Sequence, residues 1–257
     1  MWDPGKYLMF DDHRSRPFDE LVARIRAESP RRLVDLGCGP GHLTETLAKR
    51  WPAAVIEAFD SSPEMVAAAR ERGLPAEVGD VRDWHPSPDT DVAVCNAVLQ
   101  WVPGHDDLLR RWIAELPPGA WLAMQVPGNF SAPSHVNIRE LAASPKWRSR
   151  LESAGLREED AVLDPIGYAT VLAEAGCAVD AWETTYLHRL TGDDAVLDWV
   201  TATGLLPVKS ALTEPDWQEF RADLAPRLRA AYPQRPDGTT WFPFRRVFAV
   251  AQTPYAR

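Results

Sequence analysis

The sequence predicts an α/β fold, a mostly parallel sheet with helices on both faces, and three observations carry that prediction. Short apolar strand candidates alternate with helical patterns through the first half of the 257 residues. The first strand candidate runs directly into a glycine-rich turn, Gly37-Cys38-Gly39-Pro40-Gly41. An acid, Asp60, closes the second strand candidate, nineteen residues after Gly41.

The elements follow in order. Pro17 to Glu28 is predicted helical because Phe18, Leu21, Val22 and Ile25 fall on one face. Leu33 to Leu36 is the first strand, and His42 to Trp51 the helix after the glycine turn. Ala54 to Phe59 is the second strand. Ser61-Ser62-Pro63-Glu64 then opens a helix: a serine cap, a proline in the first turn and an acid at the positive end of the dipole. That helix stops at Gly73. Ala76 to Val78, Asp91 to Cys95 and Trp121 to Val126 are strands three to five, with a helix from Asp106 to Leu116. From Gly128 to Asp164 the alternation breaks into a polar, charged stretch that reads as a helical cap insertion. Beyond it come a helix from Pro165 to Ala175, a strand from Ala178 to Leu190, helices over 195–203 and 214–231, and a last strand from Trp241 to Val250.

Composition narrows the function. A net charge of −9 speaks against nucleic acid as the main partner, because a phosphate backbone needs a basic surface. It leaves room for a small anionic substrate held by a local arginine cluster. No apolar run approaches the ~20 residues that cross a bilayer, so no membrane partner is expected. Cys38, Cys95 and Cys177 are odd in number and widely spaced, which fits neither a disulfide framework nor a metal site; a reduced, cytoplasmic location is expected. Most of the eleven tryptophans are read as packing residues.

Ligands of open α/β sheets bind outside the carboxyl ends of the strands. Four groups fall there: Asp35 with Gly37, Gly39 and Gly41; Asp60; Asp80 with Val81; and the run Asn96-Ala97-Val98-Leu99-Gln100-Trp101. The turn is G-x-G-x-G, whereas a dinucleotide fingerprint is G-x-G-x-x-G. An acid before the first glycine suits a cationic ligand such as S-adenosylmethionine better than a diphosphate. Taken alone, the turn leaves another nucleotide open. The spacing of Asp60 from the turn fits an acid that accepts ribose hydroxyls.

With these residues the chain resembles the class I S-adenosylmethionine-dependent methyltransferases. More narrowly, it resembles the branch of that family that esterifies trans-aconitate. The narrower likeness lies in Trp2-Asp3-Pro4, Tyr7, His13-Arg14, Arg16-Pro17, Asp60-Ser61-Ser62-Pro63-Glu64-Met65, Gly79-Asp80-Val81-Arg82-Asp83-Trp84, Pro127-Gly128-Asn129-Phe130, Thr184-Thr185-Tyr186-Leu187-His188 and Phe242-Pro243-Phe244-Arg245-Arg246. The resemblance implies a Rossmann-like seven-stranded sheet in a single domain over 1–257. Residues 1–30 would be an N-terminal helical lid, and 128–164 and 192–235 cap segments over the substrate. It implies that Asp35, Gly37, Cys38 and Gly39 hold the methionine end of the cofactor, Asp60 the ribose, Ser61, Met65, Asp80 and Val81 the adenine, and that Asn96 lies under the sulfonium. Tyr7, His13, Arg14, Arg16, Trp101, Asn129, His188, Arg245 and Arg246 would be the substrate-binding set for a small tricarboxylate. The alternative acceptor is another small carboxylic acid or a carrier-bound malonyl group. No catalytic base is expected, since a carboxylate of pKa near ~4 is already ionised at neutral pH.

Several of these site residues also have a purely structural reading. Asp60 can cap the helix after it, Asp80 can belong to an ordinary turn, and Asn96 can cap the turn after strand four. Trp101 can be a core anchor and His188 a satisfied structural histidine. Cys38 can be a small filler, and at least one of Arg245 and Arg246 a solvated strand-edge residue.

Overall fold

The computed structural model describes residues 11–255, with side chains from Ser15 onward. Its sheet has seven strands: β1 (Arg32–Leu36), β2 (Val55–Asp60), β3 (Ala76–Val78), β4 (Thr90–Asn96), β5 (Trp121–Pro127), β6 (Ala178–Thr191) and β7 (Thr239–Gln252). Their spatial order is β3-β2-β1-β4-β5-β7-β6. β1 to β5 pair in parallel, and β7 runs antiparallel to β5. Every residue of β1 after Arg32 is buried, the pattern of a strand covered on both faces. In β6, an edge strand, the outer half alternates buried Tyr186, His188 and Leu190 with exposed neighbours.

The sequence-derived elements stand, with shifts that have local causes. The first described helix is Asp11–Ala23 instead of 17–28, and Pro17 lies inside it. Phe18, Leu21, Val22 and Ile25 are buried as their spacing predicts. The helix after the glycine turn starts at Thr44, two residues late, because the Gly41 N–H donates to the Cys38 carbonyl and closes one more turn first. The helix Pro63–Glu71 opens as predicted: the Ser62 hydroxyl accepts from the Met65 N–H at 3.3 Å. A helix over Leu206–Ala211 was not expected.

The chain expected to be a single domain divides into two compact units. The first takes the residues up to 127, 162–184 and those from 246 on; the second takes 128–161 and 185–245. The second unit starts at the predicted Gly128. Its later segment is wider than 192–235 because it includes the outer ends of β6 and β7. The first unit's core packs Val34, Ala93, Met124 and Ala249 of the central strands with Trp84 and Trp112, whose rings meet edge to face at 5.5 Å. The second unit's core is aromatic, with Trp199, Phe242, Phe244 and Tyr232 in mutual ring contact and Trp147 against Phe220.

Candidate functional site

Strand order reverses between β1 and β4, which places a crevice outside their carboxyl ends. The glycine turn leaves β1 there. It is pinned to β2, since the N–H groups of Gly37 and Cys38 both donate to the Phe59 carbonyl at 2.8 Å. Gly37, Gly39 and Gly41 all have positive φ, at 83°, 55° and 83°. Their surroundings differ. A Cβ on Gly37 would lie 2.1 Å from Cγ2 of Val98, and one on Gly41 would lie 2.5 Å from Cδ1 of Leu74. Only at Gly39 does a Cβ meet nothing within 4 Å. Gly37 and Gly41 therefore serve packing, and Gly39 is where backbone faces open space.

Three acids stand at or near the carboxyl ends of β1, β2 and β3. Asp35 is 3 % exposed and accepts from the Thr44 hydroxyl at 2.6 Å. Burial pushes its pKa up to about 6; the Thr44 hydrogen bond opposes the shift and Asp60 adds to it. Asp60 accepts from the Gly39 N–H and the Ser62 N–H, both at 2.9 Å, one on each carboxylate oxygen. Burial raises its pKa and those two donors oppose the rise. Asp60 thus ties the glycine turn to the next helix, while each oxygen retains capacity for a second donor. Asp80 caps a single 3-10 turn over Val81–Asp83 and holds Arg82 through 2.9 and 2.6 Å contacts, which keep its carboxyl below the usual range. Its ordinary-turn reading is therefore realised. Ser61 is exposed, whereas Met65, Val81 and Cys38 are buried. Burial pushes the Cys38 thiol up, with Asp35 and Asp60 adding to it, so it is no nucleophile.

The loop after β4 carries the one described non-glycine residue at positive φ, Ala97 at 59°. Such a conformation stores strain of about 1–2 kcal/mol. It is held by the Ala97 N–H donating to the Gln125 carbonyl at 2.8 Å and by the Gln100 amide donating to the Ala97 carbonyl at 2.6 Å. Asn96 and Gln100 each hold one buried side-chain oxygen that receives no hydrogen bond from the described residues. Trp101 is 37 % exposed, so it is not a core anchor. Arg246 is buried and donates to Oε1 of Gln125 at 2.9 Å. β7 is an interior strand, so the solvated-edge reading of Arg246 is incorrect.

The second unit holds other members of the predicted substrate set. Arg245 is half-buried and donates to the Gly128 carbonyl at 3.0 Å, again not an edge residue. Asn129 is 3 % exposed, and neither atom of its amide is hydrogen-bonded among the described residues. His188 is buried against Trp199, ring centroids 4.8 Å apart, with Phe244 beside it. Arg16, in the first unit, is exposed and pairs with Glu20 at 3.1 Å. Tyr7 lies outside the described residues, and for His13 and Arg14 only the helical backbone is described.

Sequence reasoning missed Gln125 and a basic cluster next to Asn129. There Arg139 donates to the Phe130 carbonyl at 2.8 Å, and Arg157 lies over the Phe130 ring at 5.3 Å. Burial lowers Arg157 to about 10; burial, then Arg157 and Arg139, lower His135 to about 3. A glutamine inside the apolar run of β5 was the one signal open to a reader of the sequence.

The first unit's arrangement suits a ligand with cationic and hydroxyl groups. A buried carboxylate, Asp35, and a half-buried one, Asp60, flank the open face at Gly39, a setting that repels a diphosphate. Comparison with known proteins agrees. A family model described as "Methyltransferase domain" matches residues 10–181. The trans-aconitate 2-methyltransferase of Rhodococcus jostii (strain RHA1) is 64 % identical over 252 residues, covering 98 % of this chain and 99 % of that protein. The trans-aconitate 2-methyltransferase of Mycobacterium tuberculosis (strain ATCC 25177 / H37Ra) is 58 % identical, covering 100 % and 98 %. Among solved structures, the YcgJ protein from Bacillus subtilis superposes with a TM-score of 0.60 at 13 % identity, covering 95 % of this chain and 100 % of that one, a likeness of fold.

Proposed function

Since the chain belongs to the methyltransferase-domain family, in its group of trans-aconitate 2-methyltransferases, we propose that it transfers the methyl group of S-adenosylmethionine to a carboxylate of trans-aconitate. The products are the monomethyl ester and S-adenosylhomocysteine. The observation that carries the reading is the reach of the likeness: it spans both the glycine turn and the last strand with Arg245 and Arg246.

When bound, the cofactor supplies an electrophilic methyl group on a sulfonium, open to in-line attack by a carboxylate oxygen. The residues present fit that group. Gly39 offers open backbone, Asp35 and Asp60 offer negative charge and acceptors, and Asn96 and Gln100 offer unfilled oxygens beside them. Asp60 receives ribose hydroxyls on its remaining lone pairs. Asp80 turns from Arg82 to the adenine. Arg246 binds a carboxylate of the substrate, being suited to it by its planar fork. With the nucleophile already ionised, the protein's contribution is orientation, which supplies roughly 7–11 kcal/mol in well-aligned systems. Three unpaired cysteines suit a reduced, cytoplasmic setting, and no described helix is long and apolar enough to cross a membrane.

Turnover of trans-aconitate, cis-aconitate, citrate and a malonyl thioester, followed by ester mass, tests the acceptor; no ester from trans-aconitate would sink the reading. Replacing Arg246 by Met should raise the KM for trans-aconitate roughly 10–100-fold, the worth of one charge-assisted bond, with S-adenosylhomocysteine affinity little changed.

Asp35 gives a pH dependence. Its folded value lies above that of the unfolded chain, so the folded state holds an extra proton between the two. The ionised form therefore burdens the ligand-free protein above about pH 6, and that burden disappears on acidification. A bound ligand's ammonium group beside Asp35 reverses the preference. S-adenosylhomocysteine should bind more weakly as pH falls through about 6, and titration calorimetry of Asp35→Asn should show a flat profile over the same range.

A further inference from the structure

We propose that Gln125 is a positioning residue that presents the guanidinium of Arg246 to the substrate's carboxylates; the inference rests on the substrate-binding role proposed for Arg246. β5 reads Trp121-Leu122-Ala123-Met124-Gln125-Val126-Pro127, and Gln125 is its one polar side chain, 0 % exposed. Parallel pairing sets Gln125 opposite Asn96 of β4, and antiparallel pairing sets Pro127 opposite Arg246 of β7. Two of its groups act on the carboxyl end of the sheet. Its backbone carbonyl holds the strained Ala97, and its Oε1 accepts from Nη1 of Arg246 at 2.9 Å.

The choice of residue is informative. Arg246 only donates, so the amide must turn its oxygen to it. That leaves Nε2 buried without an acceptor among the described residues, a cost that a residue selected for packing would avoid. Among Leu122, Ala123, Met124 and Val126, an apolar side chain would stabilise the strand more. A glutamate would also accept from Arg246, but as a buried ion pair it would compete with an incoming carboxylate for the same cation. A neutral amide fixes the fork and adds no competing charge.

Steady-state kinetics of the full-length enzyme with trans-aconitate and S-adenosylmethionine, alongside thermal unfolding, tests this. Gln125→Glu should raise the KM for trans-aconitate roughly 10–100-fold. Tm should be held or raised, and the KM for S-adenosylmethionine should stay within about threefold, less than half of one tenfold step. Gln125→Met, close in volume, should give a smaller rise of the same kind and decides the matter alone if the glutamate variant does not fold. An unchanged KM for trans-aconitate, or a parallel rise for both substrates with a lower Tm, would overturn the inference. Arg246→Lys separates the two levels. If it leaves the KM unchanged, the substrate role of Arg246 falls, and the inference with it. If it raises the KM while both Gln125 variants do not, only the role of Gln125 falls.

Discussion

Gly37→Ala should unfold the enzyme at a much lower temperature, and Gly39→Ala should fold yet lose the cofactor. The new methyl at Gly37 would sit 2.1 Å from Val98, at a φ of +83° that side chains resist. Backbone strain of about 1–2 kcal/mol and overpacking of about 1–3 kcal/mol together make a loss of about 2–5 kcal/mol. For a chain of this length that lowers Tm by roughly 5–15 °C. Val98→Ala in the same chain should restore the packing part and leave the strain. At Gly39 nothing lies within 4 Å, so only strain remains and Tm falls by a few degrees. The methyl there projects into the space assigned to the cofactor, and the Kd of S-adenosylhomocysteine should rise about tenfold or more. A Gly39→Ala enzyme that binds S-adenosylhomocysteine as tightly as the native one would remove the turn's open face as the cofactor's seat.

The second large effect is expected at Asp60. Its carboxylate accepts from Gly39 and Ser62 at once, so Asp60→Ala strands a half-buried N–H in the turn as well as removing the acceptors offered to ribose. Loss of two charge-assisted hydrogen bonds weakens S-adenosylhomocysteine binding roughly 100-fold or more, and the stranded amide costs about 1–3 kcal/mol of stability. The helix cap itself is Ser62, so the structural tie of Asp60 is to the Ser62 and Gly39 N–H groups, and its cofactor role is what this variant tests. Asp60→Asn, which keeps one acceptor oxygen, should fall between. An affinity for S-adenosylhomocysteine within about threefold of native in Asp60→Ala, far short of one tenfold step, would strike Asp60 from the cofactor set.

The fold was legible because its signals are local. Serine, proline and acid in series mark the helix at Pro63, and apolar runs closed by Asp60 or Asn96 mark strands whose ends face the crevice. The glycine turn was legible as a turn, but the reason for each glycine was not. Gly37 answers to Val98, sixty-one residues away, and Gly41 to Leu74. Asp80 shows the reverse: the acid at a strand end was visible, and its partner two residues on decides that it rests in a cap. Among the arginines, Arg246 drew notice as one of a pair. That it is buried follows from β7 entering the sheet between β5 and β6, an order no periodicity encodes.

Sequence by itself determined the elements, their polarity and the chemistry of the strand ends, because residue spacing fixes which face of a helix or strand is apolar and where a chain can turn. Tertiary structure alone decided which strand ends are neighbours. The contact between Gln125 and Arg246, 121 residues apart, exists because β5 and β7 pair in one register, and a slip of one residue between them would put the two side chains on opposite faces.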